Sequence, residues 1–480
     1  MTARESQSSI IRMKGVAGLQ QRALAALRSG SLDEAERCYR ELLAAFPHPG
    51  VLHNLGLVLV QLHRDAEAVQ CFERSLASRP AKQNTQLALS NALLNCDRPS
   101  DALARCDELL AVAPGNRDAR QNRAIALRAL NRHAEAAEVL GQLLADDPLD
   151  ADTEFNLALA ELMLGRYESA WNHYEARWRG SQAQQPLPVA NGAVWRRGDS
   201  LRARAVLVQS EQGLGDTLQF LRWVPRLDAE CKRVDLQVQP ELVSFLRRQW
   251  TDRRIDPLGD EGASDIDCRI ALLSVPLALG ISNPGSAAPY LAADPARIEQ
   301  WAQRLPHCAG GYIGVGWRGN PLKRHNPQRS LPVQTLRPWL EMADRRGLAI
   351  VSVQRDVNED ERRWLEQFRN VHVLGSDLSD FDDTAAVMAL ARQTVSVDTS
   401  LIHLAGALGR PAVVLLRFCS DWRWGIDRPN GATYQSVLTL RQPVPGDWDS
   451  VISALVGLLP FAAVEGAPVS ARAMDASIDR

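Results

Sequence analysis

Four hundred and eighty residues correspond to about three domains of ordinary size. An apolar share of 45% and a charged share of 23% suit a folded globular chain and exclude wholesale disorder. Lys+Arg number 55 against 57 Asp+Glu, a formal charge of −2, which excludes the basic footprint that nucleic-acid binding requires.

At the amino end, MTARESQSSIIRMKG has neither the apolar core nor the cleavage pattern of a signal peptide, so the expected location is cytoplasmic. No membrane span is expected. The apolar stretches Ala271 to Ile281 and Val451 to Val464 are short, and each contains a proline. The eight cysteines are scattered without a CxxC or zinc spacing and read as small apolar residues.

A period follows. Ala35, Ala68, Ala102, Ala136 and Ala170 are 33, 34, 34 and 34 residues apart, and Pro47, Pro80, Pro114 and Pro148 keep the same phase. Tyr39, Phe72, Cys106, Leu140 and Tyr174 stand four residues after the alanines, and Gly56, Ser90, Ala124 and Ala158 twelve before the later ones. This pattern resembles the tetratricopeptide repeat, a helix–turn–helix unit whose copies stack into an all-α solenoid with a concave face. The resemblance covers residues 17–180 as about five units and implies a polypeptide partner.

Fourteen residues before the anchor alanines lie Gln21, Asn54, Ala88, Asn122 and Asn156. Asparagine is a mediocre helix former, so its recurrence on the first helix of three repeats asks for a reason. Asn54, Asn122 and Asn156 are candidates for an acceptor groove, because carboxamides both donate to and accept from an extended backbone. The ladder is similar to that in the nucleocytoplasmic O-GlcNAc transferases. The alternative is asparagine merely tolerated there, or bound to a neighbouring helix end.

Residues 181–198 lose the period and read as a linker. Strands then alternate with helices in two series, 199–305 and 306–465, which predicts parallel sheets with ligands at the strand ends. RAVLVQS (204–210) leads into EQGLGD, where Gly213 and Gly215 place Asp216 at a helix start as a cleft residue or simply a cap. YIGVGW (312–317) opens a loop bearing Arg318, Asn320, Lys323 and Arg329, a cradle for a diphosphate or a solvated basic loop. TVSVD (394–398) leads into DTSLIHLAGALGRP, where Asp398, Thr399, Ser400 and His403 gather at a helix N-terminus. Asp265-Ile-Asp267 superficially resembles a metal-binding DxD but reads as a strand end. The DWRW run (421–424) reads as packing beneath a nucleotide or between halves, a helix over 450–462 as a brace, and 466–480 as a mobile tail.

Together these clusters resemble the heptosyltransferase-like GT-B glycosyltransferases fused behind tetratricopeptide repeats. DTSLIHLAGALGRP follows that family's DTGxxHLAxALGxP, with Ser400 in place of glycine, and GLGD follows the turn that carries the catalytic base. The resemblance implies an α/β GT-B-like pair of doubly wound halves after the solenoid: an acceptor-side amino half (199–305) and a nucleotide-sugar-side carboxyl half (306–465). It implies a bacterial-type, inverting, metal-independent transfer from a nucleotide-sugar co-substrate to a protein, with no cofactor. Asp216 would be the base. Gly213, Gly215, Arg318, Asn320, Lys323, Arg329, Asp398, Thr399, Ser400 and His403 would bind the donor. Arg329 falls roughly where the family has a phosphate-binding lysine, and brings a planar fork instead of a point charge. Two alternatives stay open: a non-catalytic scaffold with a degenerate fold, and a transferase acting on a saccharide.

Overall fold

The computed structural model describes residues 3–79, 82–181, 186–319, 329–426 and 432–458, with side chains from Val16 onward. Pro80, Asn320, Lys323 and the 466–480 tail lie outside the described residues.

Among the described residues, ten helices form the array: α1 (Ala3–Arg28), α2 (Leu32–Ala45), α3 (Pro49–Gln61), α4 (Asp65–Ser78), α5 (Gln83–Asn95), α6 (Pro99–Val112), α7 (Arg117–Ala129), α8 (His133–Asp146), α9 (Ala151–Met163) and α10 (Tyr167–Tyr174). The five anchor alanines are all fully buried, because each sits where neighbouring helices approach most closely. At Gly56 a Cβ would fall 2.5 Å from the Phe72 ring, so the small residue makes room for the large one. The tight turns inside the five repeats use Gly30, His63, Asp97, Asn131 and Gly165, all in the left-handed region with φ between 57° and 76°. Glycine, asparagine and aspartate tolerate that conformation best.

The amino half follows as β1 (Ala193–Val194), β2 (Ala205–Gln209), α11 (Leu214–Phe220), α12 (Val224–Glu230), β3 (Arg233–Val238), α13 (Pro240–Gln249), β4 (Ile255–Pro257), β5 (Cys268–Ala271) and α14 (Val275–Ala278). Its sheet is parallel in the order β1-β5-β2-β3-β4. Thus the stretch expected to be linker contributes an edge strand: Ala193 and Val194 pair with Cys268 and Arg269. The helix expected over TLQFLRWVPRLDAE is instead split into α11, a 3-10 turn at Leu221–Trp223, and α12, because Pro225 belongs in a first helical turn.

After α15 (Pro295–Arg304) comes the carboxyl half: β6 (Tyr312–Gly316), α16 (Arg337–Arg345), β7 (Ala349–Ser352), α17 (Glu359–Leu365), β8 (Val371–Val373), α18 (Phe381–Leu390), β9 (Gln393–Val397), α19 (Ser400–Ala407), β10 (Ala412–Leu416), β11 (Val437–Arg441) and α20 (Trp448–Gly457). Its strands are parallel in the order β11-β10-β9-β6-β7-β8, a doubly wound sheet that reverses direction between β6 and β9. The central strands are buried on both faces because helices cover both, although β9 carries the buried polar residues Thr394 and Ser396 on one of them.

The last repeat shares a core cluster with both halves. Leu162, Trp171 and Tyr174 of the last repeat are buried in the cluster that contains Phe220, Trp422 and Tyr434. Trp171 meets Phe220 and Trp422 edge-on, with ring centroids 6.3 and 5.6 Å apart, and its indole N–H donates to the Ile281 carbonyl at 2.9 Å. Arg177, buried just after α10, donates to Glu175 at 2.6 Å, Ser274 at 2.7 Å and Glu211 at 3.1 Å. Aromatic area plus a buried charge paired with two carboxylates makes a rigid joint.

Candidate active site

The carboxyl ends of β2 and β9 face each other across the two halves, and α11 packs against α19. Glycines permit close packing on both sides of α19. A Cβ on Gly215 would lie 2.7 Å from His403 Cδ2 and 3.4 Å from Ser400 Cα. At the end of β6, a Cβ on Gly316 would meet Leu401 at 2.6 Å and Ser396 Oγ at 2.9 Å.

Asp216 occupies the first turn of α11. Its Oδ2 accepts from the Gly213 N–H at 2.8 Å, and its Oδ1 forms an ion pair with Arg423 Nη2 at 2.5 Å. The capping reading is therefore correct as geometry, and it leaves the second oxygen directed at the opposite half. Its side chain keeps 23% of its surface exposed, so solvent or a ligand reaches it.

On the carboxyl side, Asp398 ends the turn after β9 and is buried. Burial and the nearby Asp421 charge push its carboxyl up to about 6, with Arg329 opposing the shift. Arg329 Nη1 stands 3.9 Å from Asp398 Oδ2, and His403 Nε2 3.8 Å from Oδ1. Burial and the Arg423 charge hold His403 down at about 3, so the imidazole is neutral at physiological pH. Its ring lies on Trp424 with centroids 5.6 Å apart, and Nδ1 shares a hydrogen bond with the Tyr434 hydroxyl at 3.0 Å. Thr399 caps α19 without a side-chain bond to it; its hydroxyl lies 3.3 Å from Ser396 Oγ. Thr399 and Ser400 stand at the N-terminus of α19, the end of a helix where backbone N–H groups and the dipole favour negative charge.

The structure thus brings Gly213, Gly215, Asp216, Arg329, Asp398, Thr399, Ser400 and His403 together where α11 meets α19. Arg318 is engaged elsewhere: it donates to Glu361 and Asp356, each at 2.9 Å. Asn320 and Lys323 fall outside the described residues. Asp265 is paired with Arg233 at 2.7 Å, and Asp267 accepts the Ala205 N–H at 2.8 Å, so this pair serves the sheet.

The asparagines keep their common helix position, yet the array itself uses them. Asn122 is buried and donates to Ser90 Oγ at 2.9 Å. Asn156 accepts from Arg128 at 2.5 Å and donates to the Asp152 carbonyl at 2.9 Å. Asn54 is half-buried beside the Tyr39 hydroxyl. Moreover, the segment after β10 lies on the later repeats: Asn131 donates to the Phe418 carbonyl at 3.0 Å, and the Cys419 thiol to the Arg128 carbonyl at 3.3 Å.

Site residues that the sequence reading does not single out are Arg423, Asp421, Gln219 and Tyr434. Their signal is faint, since DWRW looks like aromatic packing and Tyr434 stands in no motif.

The tetratricopeptide repeat family matches residues 21–82, 87–140 and 122–186, and glycosyltransferase family 9 (heptosyltransferase) matches residues 340–443. The chain joins tetratricopeptide repeats to a glycosyltransferase family 9 domain. The family 9 match contains Asp398, Thr399, Ser400, His403 and Arg423, and stops short of Asp216. Protein FlbA of Caulobacter vibrioides (strain ATCC 19089 / CIP 103742 / CB 15) is 26% identical over 286 residues, 54% of this chain and 47% of that protein. The chain therefore spans about half the length of that curated relative. Solved structures similar to the repeats include MamA 41-end from Desulfovibrio magneticus RS-1, 20% identical, covering 36% of this chain and 97% of that one with a TM-score of 0.33. A tetratricopeptide repeat protein from Parabacteroides merdae ATCC 43184 is also 20% identical, covering 38% and 73% with a TM-score of 0.33. Among the described residues, no helix is long and apolar enough to cross a membrane.

Proposed function

We propose that this chain transfers a sugar from a nucleotide-sugar to a polypeptide by an inverting, metal-independent displacement in a GT-B-like cleft. The observation that carries the reading is Asp216, a partly exposed carboxylate of one half, set against the helix N-terminus at Thr399 and Ser400 of the other. The donor diphosphate would lie on that N-terminus beside Arg329. Asp216 would take the proton of the acceptor hydroxyl as its oxygen attacks the anomeric carbon. The bond from that carbon to the diphosphate oxygen breaks, and the oxygen leaves with the electron pair. Arg329 and the helix dipole offset the charge that develops there. Neutral His403 would face the donor as a hydrogen-bonding and packing group.

A saccharide acceptor is the second reading. What favours it is the engagement of Asn122 and Asn156 inside the array, which removes them as ready-made clamps for a peptide. The test is incubation of the full chain with a panel of nucleotide sugars, alone and with polypeptide or saccharide acceptors, followed by mass spectrometry of the acceptor and NMR of the new anomeric centre. Glycosylated polypeptide with inverted configuration is expected. Transfer to saccharide alone would replace the first reading by the second, and turnover of no donor would overturn both.

A further inference from the structure

Arg423 stands where the last repeat, the amino half and the carboxyl half meet. Its guanidinium is buried and held on three sides: Nη2 forms an ion pair with Asp216 Oδ1 at 2.5 Å, while Nη1 donates to Asp421 Oδ1 at 2.7 Å and Nε to Gln219 Oε1 at 2.6 Å. The Trp422 ring lies over it with its centroid 4.6 Å away, and Phe220 flanks it at 5.8 Å. Trp171 of the last repeat packs edge-on against both rings. A planar fork with several fixed partners has little freedom left, so what it binds is fixed in turn.

Asp216 and Arg423 come from opposite halves, so their pairing exists only when the halves are together. With Gly213 holding Oδ2 and Arg423 holding Oδ1, both carboxylate oxygens are located and the side chain cannot swing away from the cleft. We infer that Arg423 is the positioning residue for Asp216, and that the last repeat, through Trp171 and Trp422, keeps Arg423 in place. The array is then part of the catalytic centre as well as a docking surface. This inference rests on the transferase reading of the same cleft.

The test uses the full chain and whichever nucleotide-sugar and acceptor the wild type turns over. A carboxylate displaced by about 1 Å costs on the order of a hundredfold in rate, so Arg423→Gln should lower kcat by about that factor while the donor KM stays within about twofold. Arg423→Lys restores a cation without the fork and should recover part of the loss. The double variant Asp216→Asn with Arg423→Gln should be no slower than Asp216→Asn alone, since two parts of one device are not additive. Trp171→Phe, which leaves the cleft untouched, should lower kcat in the same direction by a smaller factor. Circular dichroism and melting temperature establish that each variant is folded. An Arg423→Gln enzyme as fast as wild type, or faster, would overturn the inference and leave the transferase reading standing. So would losses that multiply in the double variant, or a loss confined to KM. A wild type that turns over no donor would overturn both.

Discussion

Gly215 and His403 touch across the cleft so closely that a methyl group on the glycine would lie 2.7 Å from the imidazole Cδ2, well inside van der Waals contact. His403 has little room to retreat, since Trp424 lies along its ring and Tyr434 holds Nδ1. Gly215→Ala should therefore part the two halves slightly. The overpacking costs about 1–3 kcal/mol of stability. On the proposed transferase reading, displacing the turn that carries Asp216 should cost transfer about tenfold or more, since a shift of about 1 Å can cost a hundredfold. Melting temperature and steady-state rates on the same preparation check both; full activity would mean that the α11–α19 contact does not set the site.

Asp216→Asn should slow transfer by about 10²-fold or more, the usual loss when a general base is removed. The carboxamide oxygen still accepts the Gly213 N–H, and Arg423 still has Asp421, so stability should change little. Single-turnover rates alongside thermal unfolding separate the two effects. A chain that melts normally and transfers at the wild-type rate would remove Asp216 from the chemistry.

The repeats are legible in sequence because their packing recurs: the five buried alanines, and glycine against phenylalanine at Gly56, are demands made once per unit. The doubly wound halves are legible because some strands covered on both faces are written as apolar runs such as 205–208 and Ala412–Leu416. Strands β1 and β4, two and three residues long, carry no period, and only their pairing partners define them. Arg423 is hidden for a related reason. Its partners Asp216 and Gln219 lie about two hundred residues earlier, and nothing local marks a buried arginine as a bridge. The asparagine phase shows that a recurrent polar residue can serve the helices next to it: the Asn122 carboxamide bonds to the Ser90 hydroxyl inside the array.

Asn122→Ala follows from that bond. Ser90 Oγ keeps its own donation to the Leu87 carbonyl, so one buried hydrogen bond is lost, worth about 1 kcal/mol. For an array of this size that corresponds to a fall in melting temperature of about 2–4 °C. Polypeptide affinity at a temperature where the array is folded should be unchanged. Isothermal calorimetry showing affinity lost with no change in melting temperature would return Asn122 to the groove.

The acid limb of stability should carry the signature of His133. It is buried at the start of α8, and neither ring nitrogen has a hydrogen-bond partner among the described residues. Burial, with the Arg128 and Arg441 charges adding, lowers its pKa to about 4. The unfolded chain takes up this proton near pH 6.5 and the folded chain only near 4, so stability is full above 6.5 and falls as pH drops through that window. His403, held at about 3, acts in the same direction. Glu211 and Asp398 act oppositely: burial raises them to about 7 and 6, so the fold gains from them as pH falls toward the ordinary carboxylate range. The wild-type curve is the difference of these slopes, which is why a variant is needed to isolate one. His133→Phe removes the titration, and whatever its packing does at pH 8 is a constant offset. Relative to wild type it should gain stability between pH 6.5 and 4 by up to about 1.4 kcal/mol for each unit of pH, and level off below. Urea unfolding at pH 8, 6, 5 and 4 measures the difference directly, and two parallel curves would show that His133 takes up its proton in the folded chain as readily as in the unfolded one.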